Sequence, residues 1–326
     1  MRLGAFPWGL MSAAAGAVGV TALVIWYGAA AIGAEVLQAA WALPPILAIH
    51  AVTQWLSAIA WRWATGGPHL GLRHWFTIRV IRESVNGLLP VAQLGGNLVG
   101  IRLLMQRGIA GTAATAGTTI DVTLEAVSQL VFTLGGIAVL AALSHEDAWA
   151  PWVQASVAVM ALGLAGFLVA QHMAGLRIIE WLAGPLTRIF PRFSMDTVRR
   201  LFSALQARQR QRGMLARALG LHLLAWAVGV GETWLALTAM GRPTSLAEAL
   251  VIESLSVAVR NAAFAVPGGL GVQEAGFVLI GGLFGVAPDQ AIAVSMLKRL
   301  RELGFGIPGL LAWQWLEGRR HLRRRR

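Results

Sequence analysis

The sequence predicts an all-α, polytopic integral membrane protein, and three observations carry that prediction. Of 326 residues, 56% are hydrophobic and only 13% are charged, about half the charged share of a soluble domain. The mean hydropathy is +0.64. Apolar stretches recur along the chain at the length, about 20 residues, that a bilayer-crossing helix needs. Composition also removes several functional classes. There is no cysteine, so disulfides, thiol nucleophiles, cysteine zinc sites and iron–sulfur clusters are excluded. The 7 histidines form no HExxH pattern and no pair at ligand spacing on one helix. No metal and no cofactor is therefore expected.

The elements follow in order. The stretch 8–33 lies in an apolar run from Pro7 to Ala34, too long for the core of a secretory signal, and reads as a retained first span. The second span is 37–63, and a basic connection, 62–82, follows it. An apolar stretch at 86–104 is interrupted by Gly and Pro. The third span, 109–143, carries Thr118, Asp121, Glu125 and Gln129 at steps of three, four and four, which gathers them on one face turned away from lipid. The short connection 145–147 leads to a fourth span at 151–172. Residues 175–212 form the longest stretch that does not span. Its second part, 197–212, sets Val198, Leu201, Phe202 and Leu205 at helical spacing against Arg199, Arg200, Arg208, Arg210 and Arg212. That pattern fits an amphipathic helix on the membrane surface or a solvated connector. The fifth span is 215–240, a second interrupted stretch is 247–284, and the sixth span, 291–315, precedes a basic tail at 318–326. The chain thus reads as a single transmembrane domain with about six full spans and two broken or re-entrant hairpins.

The net charge is +12, from 27 basic and 15 acidic residues. Its distribution points to membrane topology rather than to nucleic acid. Arginines crowd 177–217 and the tail 318–326, both beside spans, as the positive-inside rule expects of cytoplasmic segments. Both termini are accordingly expected in the cytoplasm of a bacterial-type inner (plasma) membrane, with 145–147 and 287–289 outside. The basic segments also suit anionic lipid headgroups, at about 1 kcal/mol per basic residue near the surface. Trp55, Trp61, Trp63, Trp75, Trp149, Trp152, Trp313 and Trp315 fall near span ends, where interfacial aromatics are expected.

The two interrupted stretches share a plan. The first has Arg82, Asn86, Pro90, Gly95 and Gly96; the second has Arg260, Asn261, Pro267, Gly268, Gly269, Gly271 and Glu274. Each sets an Arg and an Asn before an apolar run, then Pro to break the helix and Gly to let the chain turn. Broken backbone at membrane depth is tolerated only inside protein or beside a wet cavity. The charge pattern makes the first dip from the cytoplasmic side and the second from the opposite side. Two such breaks suggest an inverted repeat around a midplane binding site.

The run from Pro267 through Gly268, Gly269, Leu270, Gly271, Val272, Gln273 and Glu274 to Ala275, followed by an apolar helix ending Leu283, Phe284 and Gly285, resembles the signature of the flippase-like transmembrane family. That family includes the membrane domain of lysylphosphatidylglycerol synthetases. Leu89, Pro90, Gly95, Gly96 and Arg102 resemble its first block, and the resemblance covers essentially the whole chain. It implies lipid translocation. Gln273 stands where the family pattern has Arg, so a fixed ion pair there is not implied. Within these 326 residues no soluble aminoacyl-transferase domain is expected beside the spans. In size the chain is similar to stand-alone members found with hopanoid biosynthesis.

Charges at membrane depth cost about 2.5–3.5 kcal/mol each to insert, so those retained are candidates for function. Lys298, Arg299, Arg301 and Glu302 sit near the middle of the last span; Glu253, Ser256 and Arg260 share one face of the second interrupted stretch. Glu302 can pair with Lys298 or Arg299, which leaves positive charge for Glu253, Glu274 or a bound anion to balance. The candidate headgroup site is therefore Arg82, Asn86, Pro90, Arg260, Asn261, Pro267, Gly268, Gly269, Gly271, Glu274, Lys298, Arg299 and Arg301. Asp121, Glu125, Glu253 and Glu302 are candidates for charge balance or coupling. An internal salt-bridge network that only holds helices in register is the alternative for any one pair. His50, Gln54 and His222 are single polar positions on apolar helices and read as interhelical hydrogen-bond partners.

Three functions are weighed. The first is translocation of a polar, anionic or headgroup-modified lipid, with membrane lipids as partners and Arg guanidinium groups holding phosphate. The second is a non-catalytic membrane partner, or homo-oligomer, within a lipid-biosynthetic complex such as one for hopanoids. The third, an intramembrane transferase, is disfavoured because no DxxD or aspartate-rich loop occurs, so the expectation is a protein that is not an enzyme.

Overall fold

A computed structural model describes residues 6–67, 69–89, 95–143, 195–262 and 269–324, and every element among them is helical. The expected span 151–172, the start of the long connector, Trp149, Trp152, Pro90, Pro267 and Gly268 lie outside the described residues. Helices α1 (Phe6–Tyr27) and α2 (Ala29–Gln38) occupy the expected first span, but the chain bends by 92° between them. The bend falls at Gly28, so this region is not one straight helix.

A 3-10 turn, Ala40–Ala42, leads into α3 (Leu43–Thr65), which carries Pro in its first turn, where no backbone donor is lost. Then come α4 (Leu72–Leu88), α5 (Gly95–Gln106) and α6 (Gly111–Leu143). After the undescribed segment follow α7 (Met195–Gln209), α8 (Arg212–Ala239), α9 (Leu246–Ala262), α10 (Val272–Gly282) and α11 (Pro288–Arg324). Three helical segments, Ala40–Thr65, Gly111–Leu143 and Arg212–Ala239, are long and apolar enough to cross a bilayer, and a fourth if α1 and α2 count as one. The last expected span, 291–315, lies within α11, whose central charges are turned into the protein.

Two expectations need correction. The segment 62–82 is not a surface connection throughout. Trp75, Ile78, Ile81 and Val85 give α4 an apolar face that packs with Ala58, Trp61, Leu103 and Leu104. That packing carries Arg79 and Arg82 inside, each 2% exposed. For the same reason Trp61 and Trp75 are core residues rather than interfacial ones, packed edge-to-face with ring centroids 5.2 Å apart. The apolar row of α7 also turns inward at Leu205, which packs with Ala60, Ala64, Ile120, Leu124 and Ala218, while Arg199 and Arg200 stay exposed.

The element order repeats. A long helix, a 17-residue helix, a break, a short helix and a second long helix occur as α3–α6 and again as α8–α11. Gly108 and Gly285 take positive φ, 89° and 70°, in the turns before α6 and α11. The contacts repeat too: α4 packs on α11 as α9 packs on α6, and α3 on α11 as α8 on α6. The corresponding helices α3 and α8 are antiparallel. Ile46, early in α3, clusters with Ala236 and Leu237, late in α8; Ala60 and Ala64 cluster with Ala218 at the opposite end. The two halves therefore run in opposite directions through the bundle.

Small residues bring the helices close. Gly117 of α6 lies against Thr65, and Gly136 against Ser254 of α9. The outer faces are apolar, with Leu98, Leu279 and Leu311 each more than half exposed, as lipid-facing surfaces are.

Candidate functional site

Where the halves meet, their charges form one network around a cavity of about 400 Å³. In the first half, α4 points Arg79 and Arg82 at the acidic face of α6. Arg79 holds Glu125 through both oxygens, at 2.6 and 3.1 Å, and lies 3.3 Å from Glu83 and 3.7 Å from Asp121. Arg82 donates to Asp121 at 2.6 Å and to Glu125 at 3.3 Å, with its guanidinium 5.0 Å from the centre of the Trp61 ring. Asp121 also meets His222 of α8 at 3.1 Å. The face read from the spacing of Thr118, Asp121, Glu125 and Gln129 holds in full. Thr118 accepts from Trp61, and Gln129 accepts from Asn261 at 2.8 Å.

In the second half the acids and bases trade places. Lys298 of α11 lies 2.8 Å from Glu253 of α9 and 3.2 Å from Glu232 of α8. Thr233 donates to Glu253 at 2.5 Å. Arg301 also pairs with Glu232, which accepts from His50 of α3 at 3.3 Å. Arg260 pairs with Glu302 at 2.8 Å. Arg299 pairs with Glu274 at 3.1 Å and with Glu302 at 3.7 Å. Glu274 also accepts from Ser295 at 2.9 Å and from the Gly271 backbone N–H at 2.8 Å. It thus caps the start of α10 as well as binding a cation.

Counted from Gly111 and Pro288, the starts of α6 and α11, Thr118 corresponds to Ser295, Asp121 to Lys298 and Glu125 to Glu302. Counted from Leu72 and Leu246, Arg79 corresponds to Glu253. The charge is reversed at Asp121/Lys298 and at Arg79/Glu253, and the reversal divides the signs between groups of helices. Helices α4 and α11, packed together, contribute Arg79, Arg82, Lys298 and Arg301, with Glu83, to the cavity lining. Helices α6, α8 and α9 contribute Glu125, Glu232 and Glu253, with Arg260. The lining cations thus come mainly from one helix pair and the lining acids mainly from three others, joined by direct ion pairs.

The expected residues divide accordingly. Arg82, Asn86, Arg260, Asn261, Lys298, Arg301, Glu125 and Glu253 line the cavity. Asp121, Glu274, Arg299 and Glu302 stand behind this lining and neutralise or position it. Asn86 holds the first hairpin shut by accepting from the Gly96 backbone N–H at 2.8 Å. Gly269, at φ 60°, lies where a Cβ would come within 2.6 Å of Arg260 Cγ, so the turn lets Arg260 cross it. The positive charge expected to be left over is taken up inside the protein, because Glu232 joins Glu253 and Glu274 as acceptors. Arg79, Glu83 and Glu232 were missing from the expected site. Glu232 had a legible signal, a lone acid inside the apolar stretch 215–240. Arg79 was hidden by the basic character of the segment around it.

Several buried polar atoms at this cavity have no hydrogen-bond partner within the protein: Arg82 Nε, Arg301 Nε, Ser256 Oγ and Gln273 Oε1.

A family model described as "Lysylphosphatidylglycerol synthase TM region" matches residues 13–309. The chain is 26% identical over 245 residues to a "UPF0104 membrane protein" of Methanothermobacter thermautotrophicus, covering 71% of this chain and 71% of that relative. It is 24% identical over 257 residues to "UPF0104 membrane protein PH1989" of Pyrococcus horikoshii, covering 70% and 71%. No solved structure matches significantly. With 13–309 matched, nearly the whole helical bundle and all of the charge network described above, the chain belongs to the lysylphosphatidylglycerol synthase transmembrane-region family of membrane proteins.

Proposed function

We propose that this protein moves a polar lipid between leaflets, with the headgroup passing through the charge-lined cavity while the acyl chains stay in the bilayer. The observation that carries the reading is the cavity between oppositely running halves, lined by cations and acids that are paired with one another. A headgroup bearing both a phosphate and an amino group can exchange with these ion pairs one for one. Phosphate meets Arg82 and Arg301, whose fork-shaped donors suit it, and the amine meets Glu125 and Glu253. No charge is stranded in the interior, where an uncompensated one costs about 3–5 kcal/mol. A headgroup-modified phospholipid fits better than a purely anionic one, because the cations are already matched by acids. The volume lies within the roughly 300–1,000 Å³ range of small-ligand sites. Translocation makes and breaks no covalent bond, so the reading gives the chain no catalytic role. The basic segments would face the cytoplasm of an inner membrane.

The test is headgroup movement in proteoliposomes containing only the purified protein. Labelled phosphatidylglycerol, phosphatidylethanolamine and an aminoacylated phosphatidylglycerol are placed in one leaflet and followed with an impermeant quencher. Protein-dependent movement that favours the two amine-bearing lipids is the expected result. Absence of movement for all three, in folded protein, removes the reading.

A further inference from the structure

A chain of hydrogen bonds runs along the cavity from one half to the other, and its middle links, His50 and Gln54, take no part in the proposed headgroup binding. Glu232 accepts from His50 Nδ1 at 3.3 Å. His50 Nε2 lies 3.2 Å from Gln54 Nε2, and Gln54 Oε1 accepts from Arg79 Nε at 3.2 Å. Arg79 then holds Glu125 and lies 3.7 Å from Asp121, which meets His222. The donors fix the orientation of every link. An arginine Nε–H can only donate, so the Gln54 oxygen must face Arg79 and its NH2 must face His50. His50 Nε2 is then an acceptor, and its single proton sits on Nδ1, directed at Glu232. The imidazole is held neutral in one tautomer by a guanidinium on another helix.

The groups around this ring come from every helix packed on it. Glu232 reaches it from α8. Lys298 and Arg301 reach it from α11 through their shared partner Glu232, and the Phe305 ring lies edge-on at 4.9 Å. Arg79 of α4 acts through Gln54, with Asp121 and Glu125 of α6 behind it. A proton arriving at Nε2 turns that atom into a donor facing another donor. The Gln54 amide must then rotate, and Arg79 loses its acceptor. The new imidazolium also competes with Lys298 and Arg301 for Glu232.

We propose that His50 is a proton-binding site whose occupancy, relayed by Gln54, loosens Arg79 in the first half and the Lys298–Arg301 clasp in the second half together. One proton thereby biases the two halves between arrangements, and a proton gradient can drive them. The purpose of the device rests on the translocation reading; its existence does not.

The chain has no cysteine, so paired labels are readily placed. Spin labels at Leu98→Cys on α5 and Leu279→Cys on α10, both 67% exposed, report the separation of the two short hairpin helices in lipid nanodiscs. Across a titration from acidic to neutral pH, the distance distribution should shift between two populations. His50→Gln should hold it at one population throughout. Gln54→Leu keeps His50 and Glu232 but cuts the relay, and should do the same, which decides the matter if His50→Gln does not fold. A distribution insensitive to pH in the otherwise unmodified chain, or a shift retained in either variant, overturns the proposal. Proteoliposomes with an imposed pH gradient separate this from the proposed function. Lipid movement indifferent to the gradient overturns proton coupling and leaves translocation standing. A pH-dependent distance without movement of any lipid sustains the proton site and removes translocation.

Discussion

Arg79 on α4 and Glu253 on α9 stand at the same position of two 17-residue helices and carry opposite charge. Each reaches the matching position of a long helix in its own half: Arg79 lies 3.7 Å from Asp121, and Glu253 lies 2.8 Å from Lys298. A repeat of identical sign would have given each group of helices a mixture of charges. Sign reversal draws the lining cations mainly from α4 and α11 and the lining acids mainly from α6, α8 and α9.

This geometry makes the Glu253–Lys298 pair testable by exchange. Glu253→Lys alone sets two ammonium groups together beside Glu232 and should lower the unfolding midpoint sharply. Glu253→Lys combined with Lys298→Glu restores an ion pair at the same place, with Arg301 still on Glu232. The coupling energy in a double-mutant cycle, read by thermal unfolding in detergent, should be favourable and in the range of about 0.5–3 kcal/mol. Additive effects would mean the pair does not act as a unit.

Asp121 is wholly buried and faces Arg82, Arg79 and His222. Asp121→Asn keeps the shape but leaves Arg82 with Glu125 at 3.3 Å and the more distant Glu83 at 4.0 Å. Breaking one side of a buried pair costs about 3–5 kcal/mol. Asp121→Asn should therefore fall at the high end of single substitutions, while Arg82→Met with Asp121→Leu should recover part of the loss. Chemical unfolding followed by tryptophan fluorescence separates these outcomes.

Arg260 and Arg299 looked equivalent in sequence, but their surroundings give them different roles. Arg260 lines the cavity, and its partner Glu302 keeps Arg299 and Arg301 nearby at 3.7 Å. Arg260→Ala should thus cut lipid movement by roughly ten-fold or more, the loss of a charged hydrogen bond, with little change in stability. Arg299 stands behind the cavity lining, and without it Glu274, fully buried, loses its cation. Arg299→Ala should chiefly destabilise the fold. The comparison needs the transport assay and an unfolding midpoint for both variants.

What could be read in the sequence followed from periodicity, and what could not followed from pairing across the fold. The acidic face of α6 was legible because Thr118, Asp121, Glu125 and Gln129 obey a local rule, and so were both helix breaks. Of the acids that balance the last helix, Glu253 and Glu274 were legible, but Glu232 was not, because its partners His50, Lys298 and Arg301 lie on helices distant in sequence. Arg79 looked like a loop charge because nothing near it reveals that Trp75, Ile78 and Ile81 bury that helix. The bend at Gly28 was missed for a different reason: hydropathy continues across it and only the backbone turns.

Two close helix contacts share a composition but differ in what they touch, and this yields a further prediction. At Gly136 an added Cβ would meet the Ser254 side chain, with Ser254 Cβ at 2.9 Å; at Gly117 it would meet Thr65, the backbone Cα included. Overpacking of this kind costs about 1–3 kcal/mol, so both Gly136→Ala and Gly117→Ala should destabilise. Ser254→Gly removes every side-chain atom in the way at Gly136, at a helix cost of about 1 kcal/mol, so that double variant should show strong favourable coupling. Thr65→Gly removes side-chain atoms at Gly117 but leaves the Cα, so its cycle should be close to additive. Equal rescue at both sites would mean that the α3–α6 approach yields as readily as a side chain, and α6 would no longer be the rigid member on which Asp121 and Glu125 are held toward the cavity.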